Sequence, residues 1–189
     1  DRFRRTPVWE GYGYDVRRSQ RPSAVLVIGD KKAGASARAL MKDLFLLDRL
    51  AEWSSLPVRI VHCVRNPFDV ITTKTMRNGR TLRWNMERYF ETEQTAAYLH
   101  DQLGPGQLSR IYLEELIAEP DAALTSLLTS LDLSADHDYF DNCKALIFDR
   151  PSSTRDRQPW TADDIADVAR RISHCRHLSP YVPSGSGAC

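Results

Sequence analysis

The sequence lacks long hydrophobic runs, a strong excess of either charge, and closely paired cysteines. No apolar stretch approaches the roughly 18 residues of a membrane-spanning helix, and no signal peptide opens the chain. The net charge of +1 excludes a broad nucleic-acid-binding surface, so any anion site must be local. The cysteines include no C-x-x-C pair and the chain has no N-x-S/T sequon, which favours a cytoplasmic protein with free thiols.

A metal site is also not expected from the sequence. His174, Cys175, His177 and Cys189 lie near one another in the chain, but their spacing matches no standard pattern of zinc ligands. Internal repeats are absent as well. With 189 residues, the chain is long enough for one domain with a real core.

The order of its apolar segments predicts an α/β fold. Short apolar runs that are typical of buried strands occupy residues 24–28, 58–64 and 108–116, and helical patterns follow each of them. This alternation indicates a parallel sheet covered by helices. We expect an irregular N-terminal arm over residues 1–23, one α/β domain over residues 24–181, and a flexible tail over residues 182–189.

Several helix ends carry local signals. Asn66 and Pro67 predict an N-cap followed by the first helical residue, and a further helix is expected over residues 82–103 before the "GPG" sequence. A last helix is predicted to begin at Thr161. Its buried face is expected to comprise Ile165, Val168, Ala169 and Ile172.

The first motif with chemical meaning is "GDKKAGAS". Gly29 and Gly34 have the spacing of the phosphate-binding loop G-x-x-x-x-G-K-[ST], and Ser36 stands where its hydroxyl belongs. Ala35 occupies the lysine position, so magnesium-dependent nucleotide hydrolysis would lose its central cation. An ordinary strand-to-helix turn explains the glycines equally well.

The second motif is "VRNPFDVITT", which begins at a strand end. Thr73 follows Arg65 by eight residues, about two helical turns. An arginine fork and a hydroxyl can converge on one terminal phosphate, because the guanidinium donates bidentately. The alternative is an arginine that forms a structural ion pair, and Asp69 is interpreted as a local orienting group.

The stretch from Arg65 to Thr73 resembles the 3′-phosphate-binding motif of sulfotransferases that use 3′-phosphoadenosine-5′-phosphosulfate (PAPS). "GDKK", about 33 residues before Arg65, is similar to the family's G-[ED]-K motif. "IYLEELIAEPDAALTSLLTSLDL" resembles its acidic-Leu strand and leucine-rich helix, and "RPSSTRDRQPW" resembles the late basic loop that closes over the nucleotide. The resemblance covers residues 24–181.

This resemblance implies a three-layer fold like that of P-loop NTPases, with a central parallel sheet flanked by helices and truncated at its N-terminus. It implies PAPS as the donor co-substrate, without a metal. The acceptor would be a hydroxyl or amine of a small molecule, glycan or peptide.

The resemblance also implies roles for individual residues. Arg65 and Thr73 would bind the 3′-phosphate, and Arg155 or Arg157 would add a second cation. Lys32, or else its neighbour Lys31, would stabilise charge on the bridging oxygen or on the sulfuryl group.

One element of the family is missing from the sequence. The 5′-phosphosulfate loop, of the form P-[KR]-S-G-T-[ST], has no counterpart before residue 24. We therefore expect residues 1–189 to be catalytically crippled on their own, and no catalytic base is assigned. His62 lies in a predicted strand and is interpreted as a packed histidine rather than a base.

Two other functions remain open at this point. A non-catalytic, sulfotransferase-like remnant would bind nucleotide or a protein partner without turnover. A P-loop kinase-like enzyme would use "GDKKAGAS", which Ala35 disfavours.

Overall fold

The structure is a computed structural model that describes Val27, Gly29 and residues 33–183. The chain divides into a unit over Asp1–Lys31 and a second unit over Lys32–Cys189. In the first unit, Val27 and Gly29 are exposed and outside regular secondary structure. The predicted strand at residues 24–28 otherwise lies outside the described residues, as does most of the predicted tail.

The described part of the second unit contains a two-stranded parallel sheet. Strand β1 (Ile60–Val64) pairs with β2 (Leu108–Tyr112), and the register places Ile60 opposite Leu108 and Val64 opposite Tyr112. Parallel pairing requires a crossover, which the helices between the two strands provide. The α/β class with a parallel sheet is thus confirmed.

The eight α-helices of the described residues surround this sheet and make the fold mostly helical. They are α1 (Ala33–Lys42), α2 (Phe45–Ser54), α3 (Pro67–Asn78), α4 (Leu82–Gln102), α5 (Leu113–Ala118), α6 (Pro120–Ser130), α7 (His137–Lys144) and α8 (Ala162–Ser173). Short 3₁₀ turns occupy Arg155–Arg157 and Arg176–Tyr181. Within the described ranges, no helix is both long enough and apolar enough to cross a membrane.

The predicted strand at residues 108–116 is too long. The chain leaves the sheet after Tyr112 and continues as α5, with Glu114 and Glu115 in the first helical turn. Carboxylates are favourable at that end of a helix, because they face the positive end of its dipole. The apolar residues Leu113 and Leu116 favoured a longer strand, since a short apolar run does not distinguish a strand from a helix.

Helix α3 begins as its sequence predicts. The Asn66 side chain accepts a hydrogen bond from the Phe68 N–H at 3.0 Å, and Pro67 occupies the first helical turn. The helix ends at Gly79, whose positive φ of 65° allows its N–H to bond the Thr75 carbonyl. These two caps fix where α3 starts after β1 and where it ends.

The main core lies where β1, α3, α4 and α8 pack together. Ile71 from α3, Phe90 from α4, and Val168 and Ile172 from α8 are almost fully buried. The prediction that Ile165 is buried was wrong, because this residue is 39% exposed. It lies one turn before Val168 and borders a cleft described below.

Candidate functional site

The carboxyl ends of the two parallel strands meet at Glu114. This residue follows β2, and its carboxylate accepts a hydrogen bond from the backbone N–H of Asn66, which follows β1, at 3.3 Å. The other carboxylate oxygen accepts the Tyr181 hydroxyl. Burial and the adjacent Glu114 raise the pKa of Tyr181, so this phenol stays protonated and donates. In open α/β sheets, ligands bind at this edge.

Arg65 extends from the end of β1 toward residues 150–160, which we call the late loop. One guanidinium nitrogen, Nη2, donates to the backbone carbonyl and, at 2.9 Å, to the hydroxyl of Ser152. The Nε atom is buried and has no hydrogen-bond partner in the described part of the chain. Arg65 therefore retains donor capacity in a half-buried position.

Thr73 lies two turns into α3 and also reaches the late loop. Its hydroxyl lies 2.9 Å from the hydroxyl of Thr154. Because Ser152 and Thr154 are only two residues apart, their backbones are separated by at most about 7 Å. Arg65 and Thr73 therefore contact the same short segment, residues 152–154, which adds two further hydroxyls.

Asp69 anchors this loop to the first turn of α3. Its Oδ1 accepts the backbone N–H groups of Thr154 at 2.7 Å and Arg155 at 2.9 Å. Its Oδ2 pairs with Nη2 of Arg155 at 2.8 Å. We call these contacts the Asp69 anchor. The sequence interpretation of Asp69 as a local orienting group understated its reach, because its partners lie more than 80 residues away.

The other predicted site residues have different surroundings. The Arg155 guanidinium is paired with Asp69, although its side chain is 44% exposed. Arg157 is exposed and forms no ion pair with any described residue. Lys31 and Lys32 lie outside the described residues, so their predicted catalytic roles stay predictions.

A cleft of about 670 Å³ opens beside the loop. The aromatic rings of Phe68 and Trp160 pack edge to face with centroids 4.9 Å apart, and both residues line the cleft. The Trp160 indole N–H donates to the buried hydroxyl of Thr72 at 3.2 Å. Trp160 thus braces the end of the loop against α3. The remaining lining residues are Asn66, Arg155, Asp156, Gln158, Pro159, Ile165, Pro180, Tyr181, Val182 and Pro183.

This arrangement can bind an anion at a strand end and a flat apolar group next to it. The Arg65 guanidinium and the Ser152 hydroxyl can donate hydrogen bonds to the anion, whereas the Thr154 hydroxyl donates to the Asp69 carbonyl and accepts from Thr73. The nearby cleft combines aromatic faces with a few polar groups, as ligand sites commonly do.

Sequence reasoning missed Ser152, Thr154 and Glu114 as parts of this arrangement. The serine and threonine lie in the "PSSTRDR" stretch. Hydroxyl residues next to arginines are typical of an anion site, so this stretch could have indicated both residues. Glu114 carried no such signal, because it lay inside the strand predicted over residues 108–116, and only the early end of β2 at Tyr112 places it at the strand end.

A sequence model described as "Sulfotransferase family" matches residues 44–138, just over half of the chain. The matched range includes Arg65 and Thr73 and ends before the late loop. A search of curated proteins finds no match. Among solved structures, the chain is similar to "Sulfotransferase Domain from the Curacin Biosynthetic Pathway", with 16% identity and a TM-score of 0.39. That alignment covers 61% of this chain and 41% of the other, so the chain spans less than half of that structure.

Proposed function

Because this chain belongs to the sulfotransferase family, we propose that it binds PAPS and transfers its sulfuryl group to an acceptor. The acceptor is a hydroxyl or amine on a small molecule, glycan or peptide, and nucleic acid is not a substrate. The bond between sulfur and the oxygen that bridges to the 5′-phosphate breaks as a bond forms from sulfur to the acceptor oxygen or nitrogen. The acceptor loses a proton and adenosine 3′,5′-bisphosphate leaves.

The proposal rests above all on the convergence of Arg65 and Thr73 at the late loop. Both side chains contact residues 152–154, so one phosphate group can be reached by both. The guanidinium would supply charge-assisted hydrogen bonds, which are stronger than bonds between neutral groups. The Nε of Arg65, which has no hydrogen-bond partner among the described residues, supports this assignment, because a buried donor without a partner gains when an acceptor arrives.

The two later arginines take separate roles in this proposal. Arg155 contacts the phosphate with the part of its guanidinium that Asp69 leaves exposed, and it also holds the loop in place. Arg157 supplies a further cation from the exposed side of the 3₁₀ turn. The cleft beside Trp160 accommodates the purine, since stacking on an aromatic ring suits any flat base.

The catalytic part of the proposal concerns Lys32, with Lys31 as its alternative. Sulfuryl transfer, like phosphoryl transfer, depends on positioning and on charge stabilisation rather than on covalent chemistry. A lysine ammonium next to the bridging oxygen would stabilise the charge that develops on the leaving bisphosphate. Lys32→Ala should then lower kcat by about 100-fold or more and leave bisphosphate affinity nearly unchanged.

Calorimetry with adenosine 3′,5′-bisphosphate and adenosine 5′-phosphate tests the binding half of the proposal. Arg65→Ala should weaken bisphosphate binding by about 2–4 kcal/mol. Arg65→Lys should fall between Ala and the wild type, because lysine keeps the charge but loses the fork. Arg77→Ala, at the opposite end of α3, is the matched control and should bind normally.

Thr73 provides an independent test of the same phosphate position. Thr73→Val removes the hydroxyl at nearly constant shape and should cost about 1 kcal/mol of bisphosphate affinity, whereas Thr73→Ser should restore it. Equal affinity of the wild type for the two nucleotides would refute the 3′-phosphate assignment.

Turnover is tested separately with radiolabelled PAPS and a panel of hydroxylated and amine acceptors. Label transfer that depends on Lys32 supports the enzyme. Bisphosphate binding without transfer, in the whole protein, would instead support the non-catalytic alternative.

A further inference from the structure

Three ligand-type side chains that are not among the residues assigned to the donor meet in the interior. His62 comes from β1, Glu93 from α4, and His177 from the C-terminal 3₁₀ segment. The exposed fractions of these side chains are 13%, 8% and 3%, respectively. A carboxylate and two imidazoles buried together require an explanation, because burying such groups costs free energy unless they are paired.

Both imidazoles lie within hydrogen-bond distance of the same carboxylate oxygen. The Nε2 atoms of His62 and His177 lie 3.2 Å and 2.9 Å from Oε2 of Glu93. All three candidate ligand atoms lie within 4.8 Å of one another. Their convergence from three separate elements forms a compact donor set of two nitrogens and one oxygen.

This donor set suits zinc. Zinc binds imidazole nitrogen and carboxylate oxygen at about 2.0–2.2 Å, and many of its sites use three protein ligands and a water. Two ligand atoms at these distances and at a tetrahedral angle lie about 3.3 Å apart. The separations from Glu93 to the two histidines therefore require adjustments of only a few tenths of an ångström, whereas the two Nε2 atoms, which lie within 4.8 Å of each other, would have to close to about 3.3 Å by rotation of an imidazole ring.

From this geometry we propose that His62, Glu93 and His177 bind a divalent transition-metal ion, zinc above all, with water as the fourth ligand. The water would enter beside His62, which is the most exposed of the three side chains. The ion would join β1, α4 and the C-terminal segment. None of the three ligands is among the residues assigned to the donor, and the proposed sulfuryl transfer remains independent of metal.

Two neighbouring features limit the affinity of the site. His62 Nδ1 is buried and has no hydrogen-bond partner in the described part of the chain, although ligating histidines usually donate from their second nitrogen. Loss of such support weakens metal binding roughly 10- to 100-fold. The charge of Lys74 also acts on Glu93, and its ammonium lies 5.6 Å from the centroid of the Tyr89 ring, so a positive charge already near the carboxylate opposes the binding of a cation.

The competing explanation is a purely hydrogen-bonded triad, in which both imidazoles donate to Glu93 and no ion binds. The two explanations differ in what added metal does. A hydrogen-bonded triad gains nothing from zinc, whereas the proposed site binds one ion and becomes more stable against heating.

The test uses the whole protein after chelator treatment, with zinc and cobalt salts as probes. Calorimetry should show one zinc ion per chain, zinc should raise Tm, and cobalt should give the visible absorption of tetrahedral coordination. Glu93→Gln, which keeps the shape and one acceptor, should lower zinc affinity at least tenfold. The control is His137→Gln, because His137 is exposed and lies 3.9 Å from Asp141 outside the cluster.

Circular dichroism and Tm without metal establish that each variant is folded. If Glu93→Gln does not fold, His62→Gln takes its place, because His62 is the least buried of the three. Absence of one-to-one zinc binding would overturn the proposal. So would zinc binding that is unchanged in the folded cluster variant, since the ion would then occupy other residues.

Discussion

The Asp69 anchor predicts that Asp69→Asn weakens anion binding, although removal of a negative charge alone would strengthen it. Asp69 is only 3% exposed and carries a negative charge close to the proposed phosphate position. If charge alone mattered, Asp69→Asn would strengthen anion binding. If instead the anchor holds residues 152–155 in place, the same change should weaken binding.

The contacts of Asp69 set the expected size of the effect. Asparagine keeps an acceptor for the N–H groups of Thr154 and Arg155, but it loses the charge that pairs with the Arg155 guanidinium. Hydrogen bonds to a charged group contribute about 1.5–3 kcal/mol. Because the Arg155 side chain is 44% exposed, hydrogen bonds to water replace part of the free energy lost with the Asp69–Arg155 pair. We expect a loss of about 2 kcal/mol, which increases the open loop population about 30-fold.

Three assays should register this change. Trypsin should cleave after Arg155 faster in Asp69→Asn than in the wild type, because cleavage follows the open population when reclosing is fast. Tm should fall by about 4–8 °C if the loss is global. Calorimetry should show weaker binding of adenosine 3′,5′-bisphosphate.

Asp156→Asn is the matched control for charge. Asp156 is exposed, borders the same cleft and lies outside the anchor. Removing its charge should leave bisphosphate affinity unchanged or raise it slightly. Tighter bisphosphate binding by Asp69→Asn would refute the reasoning, because it would show that charge outweighs loop placement.

Other residues give smaller predictions. Trp160→Phe should cost about 1–2 kcal/mol in chemical unfolding, because the buried Thr72 hydroxyl loses its indole partner while ring packing remains. Gly79→Ala should cost about 1–2 kcal/mol, because Gly79 has a φ of 65°, and a normal urea midpoint would contradict the assigned cap. Hydrogen bonds from Arg171 lower the pKa of the half-exposed Glu87. The Glu87–Arg171 pair therefore stabilises the fold fully above the usual glutamate pKa, and this stabilisation is lost as the pH falls through the lowered pKa. Glu87→Gln should therefore cost only about 0.5 kcal/mol at neutral pH, and that difference should vanish in acid; a constant difference would argue against the pair.

Local signals in the sequence predicted where α3 and α8 begin. Asn66 and Pro67 start α3, and Thr161 starts α8 with a capping box to Asp164. Such signals act over three or four residues, so a single sequence contains all of the relevant information. The carboxyl end of β1 was predicted for the same reason, since an apolar run stops at Arg65.

The parts that could not be predicted depend on partners far apart in the chain. Asp69 meets residues 154 and 155 only after the late loop folds back onto α3. His62, Glu93 and His177 are likewise joined by the fold and not by spacing, which explains why no metal site was expected from the sequence. Ile165 fits the apolar face of α8, yet a cleft lies beside it in the structure.

A crystal structure with adenosine 3′,5′-bisphosphate bound would test the central claim most directly. The account predicts that oxygens of the 3′-phosphate lie within about 3 Å of the Arg65 guanidinium and the Thr73 hydroxyl, with residues 152–154 around the same phosphate. A 3′-phosphate bound elsewhere, with Arg65 still bonded to Ser152 alone, would contradict it.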